Sequence, residues 1–278
     1  MPGDDRVLPV TRIVAVVILP FLVVAAVLLY ALPARTGELF AWQIDPPMSA
    51  YLLASAYVGG IWFFAGVAVE RRWHRVRHGF PAVAVFAGTL LAATLLHLDR
   101  FSDNVSFFAW LVLYATTPFV IAALAILQWR RDSGRPDHPD VLIPRPARFA
   151  LAAVGAAAFI FGAALFIAPD VAVAGWAWDL TPLTARVTGA VMSLTGVVNA
   201  ALLWDSRWSA FRILFHAQLV SLTAIAVSLA VRSGDLAFER PVTVVFLALV
   251  AGALIGYGAL TAWCEARLRR NRGQTAAP

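Results

Sequence analysis

Few side chains in this chain could do chemistry inside an apolar medium, and two of them share a depth. His216 carries an imidazole that gains or loses a proton near neutrality, and Asn199 carries an amide that both donates and accepts. Each lies about five residues inside the same end of its apolar stretch, so at 1.5 Å of rise per residue both sit about 7 Å within the apolar boundary. In a hairpin of two helices they are predicted to face each other. Thr188, Thr195 and Asn199 are spaced seven and four apart, on one helical face, while Gln218, Ser221 and Ser228 follow His216. A polar seam results. Such groups either bond helix to helix or line a solute path.

A second group gathers at the opposite rim. His97, Asp99 and Arg100 follow the third apolar stretch, and Asp45, Asp179 and Arg186 lie near the starts of the second and sixth. A general acid, a base and an anion-binding Arg could converge there; equally, these are solvated charges with one salt bridge. His97 and His216 differ too much in depth to be the two axial ligands of one haem. In Asp137-His138-Pro139-Asp140 the His and the carboxylates are metal-ligand types, but the prolines keep a helix from aligning them, and neither metal nor cofactor is expected. All 22 basic residues are Arg, which excludes a Schiff-base or P-loop lysine. The lone Cys264 excludes an intrachain disulfide and a cysteine metal cluster. No HExxH, GxSxG, CxxC, Walker or Rossmann pattern occurs.

The elements that must position these groups are helices in a bilayer. Hydrophobic residues make up 61% of the 278 and charged residues 14%, far from the composition of soluble domains. The excess forms eight stretches, at 13 to 32, 48 to 69, 80 to 98, 106 to 128, 149 to 168, 184 to 204, 210 to 231 and 241 to 263. Each is long enough to span the hydrocarbon as a helix, and continuous apolar runs favour helices over a barrel. The first, too long for a secretory leader, is kept as a span. Gly252 and Gly256 in the last are expected to permit close packing inside the molecule. An all-α membrane protein of eight transmembrane helices is therefore predicted.

The chain also repeats itself weakly at an offset of 135. Pro47-Met48-Ser49-Ala50 falls on Pro182-Leu183-Thr184-Ala185, and Glu70-Arg71-Arg72-Trp73 falls on Asp205-Ser206-Arg207-Trp208. Two parallel four-helix repeats are expected, 1–129 and 149–278, joined by a solvated, proline-rich linker at 130–148. The seam is not duplicated, because Phe64 and Pro81 stand where Asn199 and His216 should recur. The triplets Phe40-Ala41-Trp42 and Trp176-Ala177-Trp178 each precede an Asp and a Pro, which suggests Trp in the headgroup layer and an Asp stabilising the next helix start. Both terminal tails are expected to be poorly ordered.

Of the 22 Arg, 17 fall on the side holding both termini and the loops at 70–79, 129–148 and 205–212. That side is predicted to be cytoplasmic, in a bacterial inner membrane. The basic charge then answers to topology and anionic headgroups, and nucleic acid is not an expected partner. The segments Leu39-Phe40-Ala41-Trp42-Gln43-Ile44-Asp45-Pro46-Pro47-Met48-Ser49-Ala50 and Leu95-Leu96-His97-Leu98-Asp99-Arg100-Phe101 resemble uncharacterised bacterial multi-pass membrane proteins. That resemblance implies membrane class and no activity. The expected function is a small-molecule or lipid carrier; the alternatives are a non-catalytic accessory or assembly protein, and a membrane enzyme acting at the rim.

Overall fold

The computed structural model describes residues 5–173 and 175–275. Eight long helices account for most of it: α1 (Pro9–Ala31), α2 (Pro47–Val69), α3 (Gly79–Leu96), α4 (Val105–Gln128), α5 (Arg145–Ile167), α6 (Pro182–Ala200), α7 (Trp208–Val231) and α8 (Pro241–Thr275). All eight are long and apolar enough to cross a membrane. Proline starts α1, α2 and α6, where its missing N–H costs nothing and its fixed φ suits a first turn. The α6 start is closed further by a capping box between Thr181 and Thr184, which satisfies two otherwise orphaned groups. Several boundaries differ from expectation: α1 begins earlier, at Pro9. α5 begins earlier, at Arg145, and α8 runs through the supposed tail to Thr275.

The packing is crosswise. α1 lies on α2 and α5 on α6, while α2 also packs on α7 and α3 on α6; α4 joins α3, and α8 joins α7. Close approach of α5 and α6 depends on Gly162, whose hypothetical Cβ would lie 2.8 Å from the Gly189 carbonyl oxygen. Any side chain there would force the helices apart. Gly252 and Gly256 do not act this way: both are exposed on α8 with no neighbour against them, so the expected internal packing face points outward.

The loop hydrogen bonds come in pairs 135 or 136 positions apart. Val7 donates to the Arg71 carbonyl at 3.0 Å and Ile143 to that of Ser206 at 2.8 Å; Trp73 donates to Asp5 at 3.2 Å and Trp208 to Val141 at 2.8 Å. At the other end Ser102 donates to Ala41 and Ala237 to Ala177, each at 2.8 Å. These bonds order segments expected to be loose. Residues 5–8 are tied to the α2–α3 loop, whereas Met1 to Asp4 and Ala276 to Pro278 lie outside the described residues.

The tryptophans expected among headgroups are in the core. Trp42 packs on Phe101 and Trp110, and Trp178 packs on Trp176 and Phe246 and donates Nε1–H to Ser49 Oγ at 2.9 Å. The helix starts do not use the Asp of their own loop either. The Met48 amide, in the first turn of α2, donates to Asp235 from the α7–α8 loop at 2.9 Å, while Asp45 accepts from Gln43 and Asp179 from Arg240.

Candidate functional site

At the mid-depth of the bundle the helices leave a cavity of about 120 Å³ between α2, α3, α4 and α7. Among the described residues that line it there is no Asp, Glu, Arg or His. Its walls are Ala56, Phe63, Val83, Phe86 and Leu214, with polar edges from Tyr57, Tyr114, Gln218 and Ser221. A wider groove of about 310 Å³ opens between α1 and α4 and shares Leu22, Tyr57, Leu113 and Tyr114 with the cavity. The two tyrosines thus stand in the wall common to groove and cavity.

The hydroxyls of Tyr57 and Tyr114 are 3.0 Å apart and bond to each other. Two phenols sharing one hydrogen bond keep one O–H to donate elsewhere, so the pair presents one polar handle to an apolar space. Helix spacing puts both in place: each tyrosine lies near the midpoint of its helix. The predicted seam is partly present beside them. Gln218 Nε2 donates to Thr195 Oγ1 at 3.2 Å, joining α7 to α6, and Ser221 Oγ donates to the Ser55 carbonyl at 2.9 Å, joining α7 to α2. Thr188 bonds back to its own helix, and Ser228 bonds to the Ala224 carbonyl of its own helix at 2.7 Å and, more weakly, to the Tyr30 hydroxyl of α1 at 3.5 Å.

The expected pairing of His216 with Asn199 is not formed. Asn199 donates from Nδ2 to the Leu151 carbonyl at 2.8 Å and accepts at Oδ1 from Tyr257 at 2.7 Å. Depth alone misled, because two helices at one depth still turn their side chains by 100° per residue. α5 and α8, not α7, meet that face of α6. His216 is half-buried between the rings of Trp62 and Trp208.

Of the six rim residues, the structure brings two together. Arg186 Nη1 donates to His97 Nε2, and Arg186 Nε donates to the Phe166 carbonyl at 3.1 Å. Burial and the adjacent guanidinium push the His97 imidazole below its ordinary value, so the ring is a neutral acceptor. Asp99 and Arg100 pair with each other in solvent, 72% exposed each. Asp45 and Asp179 have the partners named above.

The densest electrostatic site lies at the Arg-rich end and was not anticipated. Asp132, in the connector, accepts from Arg207 Nη1 and Nη2 at 2.8 and 2.6 Å and from Arg77. Arg207 turns also to Asp205, which accepts from His78 Nε2 at 2.8 Å. Burial alone would raise the Asp132 carboxyl, but hydrogen bonds from Arg207 and the Gly134 amide, with the Arg207 and Arg77 charges, hold it at about 2. Burial lowers His78, whose ring stacks on Phe211; it donates to Asp205 as a neutral imidazole. The connector is thus no solvated spacer. Asp137 pairs with Arg72 and Arg75, and Asp140 accepts from the Ser209 amide and hydroxyl. Those are the two carboxylates that had invited a metal reading. Among the described residues no cluster of three His, Cys, Asp or Glu could hold a metal ion.

One signal could have found this network. Arg77-His78 and Asp205-Arg207 are charged runs beside span ends, each with opposite charge available in the connector. No known protein family, characterised protein or solved structure matches the chain. What the side chains can do must carry the functional reading.

Proposed function

We propose that this polytopic membrane protein binds and carries an apolar or amphipathic small molecule, taken from the bilayer between α1 and α4 into the central cavity. The observation that carries this reading is the wall that the groove between α1 and α4 shares with the uncharged central cavity, with the Tyr57–Tyr114 pair in it as the gate an entering molecule would pass. A wall without charges suits a hydrocarbon body, and one spare hydroxyl suits a single polar group on it. The two units, 1–129 and 149–278 about the connector 130–148, are read as a duplication; the paired loop hydrogen bonds support it. The Arg-rich end, with both termini, is placed in the cytoplasm of a bacterial inner membrane by its charge.

The test is recovery of the occupant. Protein extracted gently into nanodiscs should retain a defined small molecule or lipid by mass spectrometry, and Val83→Trp, which fills the cavity, should lose it while keeping the fold. An empty parent protein, or a molecule other than a bilayer phospholipid retained unchanged by Val83→Trp, would remove the carrier reading. A second reading, an accessory or assembly protein, is favoured by the exposed Gly252 and Gly256 face of α8.

A further inference from the structure

Arg186 is set apart from the other arginines at its end of the bundle. Arg35 pairs with Glu38, Arg100 with Asp99, Arg232 with Asp235 and Arg240 with Asp179. Arg186 has no carboxylate within ion-pair distance among the described residues; its partners are the neutral His97 and a backbone carbonyl. It is only partly exposed. A half-buried guanidinium without a counter-charge, one turn inside a helix start, is a strong attractor for an anion.

The same arginine stands at the end of an apolar cleft. Between α3, α5 and α6 lies a groove of about 390 Å³, lined by Ala84, Gly88 and Ala92 on α3 and by Phe159, Ala163 and Phe166 on α5. The α3 residues recur every fourth position and form one shallow stripe roughly 12 Å long at 1.5 Å per residue. The two hydroxyls in the groove are spent on their own helices, Thr89 on the Val85 carbonyl at 2.7 Å and Ser193 on that of Ala190 at 2.6 Å. The groove is thus apolar in effect. Phe166 belongs to both parts: its ring lines the groove, the Arg186 guanidinium lies 5.8 Å over that ring, and its carbonyl accepts from Arg186.

We propose that this cleft is a binding site for one anionic phospholipid, its phosphate against Arg186 and an acyl chain along α3 and α5. Charge at headgroup depth selects the head, and the apolar stripe beneath it selects the chain. The cleft is separate from the central cavity, and the proposal does not depend on what that cavity carries.

The experiment measures lipid retained by the full chain in detergent, by native mass spectrometry, after exposure to phosphatidylglycerol, phosphatidylcholine or inorganic phosphate. The parent is expected to prefer phosphatidylglycerol on the order of tenfold, one charge-assisted contact's worth. Arg186→Gln should abolish that preference, and Ala163→Phe, which leaves Arg186 in place, should abolish retention. Arg35→Gln, which removes the same charge from the same end, should change neither. Equal loss in Arg35→Gln would reduce the effect to diffuse attraction and overturn the site. So would retention unchanged in Ala163→Phe, or displacement of the lipid by inorganic phosphate, which would assign the position to a free anion. Should Arg186→Gln fail to fold, Arg186→Lys decides: a loss of selectivity below half the parent supports a phosphate contact made by the guanidinium, and unchanged selectivity opposes it.

Discussion

Replacing Asp132 by Asn should strongly destabilise the protein. Asp132, Asp205, Arg77 and Arg207 form a network of net charge zero, with side chains 1%, 7%, 12% and 6% exposed. Removing one carboxylate charge leaves an excess buried cation, and breaking a buried pair in this way costs about 3 to 5 kcal/mol. Arg207→Gln leaves the opposite excess and a cost of similar size. The double variant removes both charges together, so it should cost about as much as either single change and give a coupling of at least about 2 kcal/mol. Denaturant unfolding in mild detergent, followed by intrinsic tryptophan fluorescence, measures all four proteins. Acid supplies the sign. The carboxyl ordinarily titrates at 3.8 and is held at about 2 in the fold, so its contribution is complete above the ordinary value and is lost as pH falls through about 2. The difference between parent and Asp132→Asn should therefore shrink from pH 5 towards pH 2. A variant within about 0.5 kcal/mol of the parent at pH 7, or costs that simply add, would refute the network as a clamp.

Tyr257→Phe should cost about 1 to 3 kcal/mol by leaving Asn199 Oδ1 without its donor, whereas His216→Leu, which breaks no hydrogen bond to Asn199, should stay within about 1 kcal/mol; unfolding midpoints compare them. Trp73→Ala and Trp208→Ala, both fully buried and 135 positions apart, should each cost about 3 to 5 kcal/mol, and a neutral result at one would count against equivalent roles. A reporter fused after residue 135 should give cytoplasmic-type activity; periplasmic-type activity would invert every side assignment.

The helices were legible because bilayer length and apolar continuity are properties of a single segment. All eight predicted stretches overlap the observed helices, with the largest misjudgement at α8, where Arg267 to Thr275 is polar yet remains helical. What the sequence could not show was rotation. Asn199 and His216 were matched by depth, but facing also requires knowing which neighbour each helix turns towards, and the crosswise packing gives α6 to α5 and α3. The rim failed for a related reason. Asp99 and Asp179 lie close to Arg186 in depth, yet nearer arginines, Arg100 and Arg240, take them. Trp42 and Trp178 were misplaced because the headgroup preference of indole is a surface tendency, and loops folded back over the bundle override it. The cavity tyrosines were missed outright. Nothing in the spacing of Tyr57 and Tyr114, from helices separated by a loop, a span and another loop, announces contact.

The departures from repetition are the most informative feature of the doubled pattern. Loop hydrogen bonds recur 135 or 136 positions apart, as the proposed duplication expects where the requirement is structural. The cavity pair does not recur: Met192 stands 135 positions after Tyr57, and Val250 stands 136 after Tyr114. The rim is unequal in the same sense. Arg232 occupies the place corresponding to His97 and is neutralised by Asp235, while Arg186 corresponds to Tyr51 and keeps its charge. On the proposed duplication, a scaffold needs the two units alike, since the α2–α7 and α3–α6 contacts would brace one against the other. Binding one molecule in one orientation needs them unlike. Installing the second pair, Met192→Tyr with Val250→Tyr, is therefore expected to leave the first cavity's occupancy unchanged, measured as ligand bound per chain. A doubled stoichiometry would show that the tyrosines alone define the site, whereas a drop below the parent value would show that the unlike half contributes to the cavity through its apolar wall.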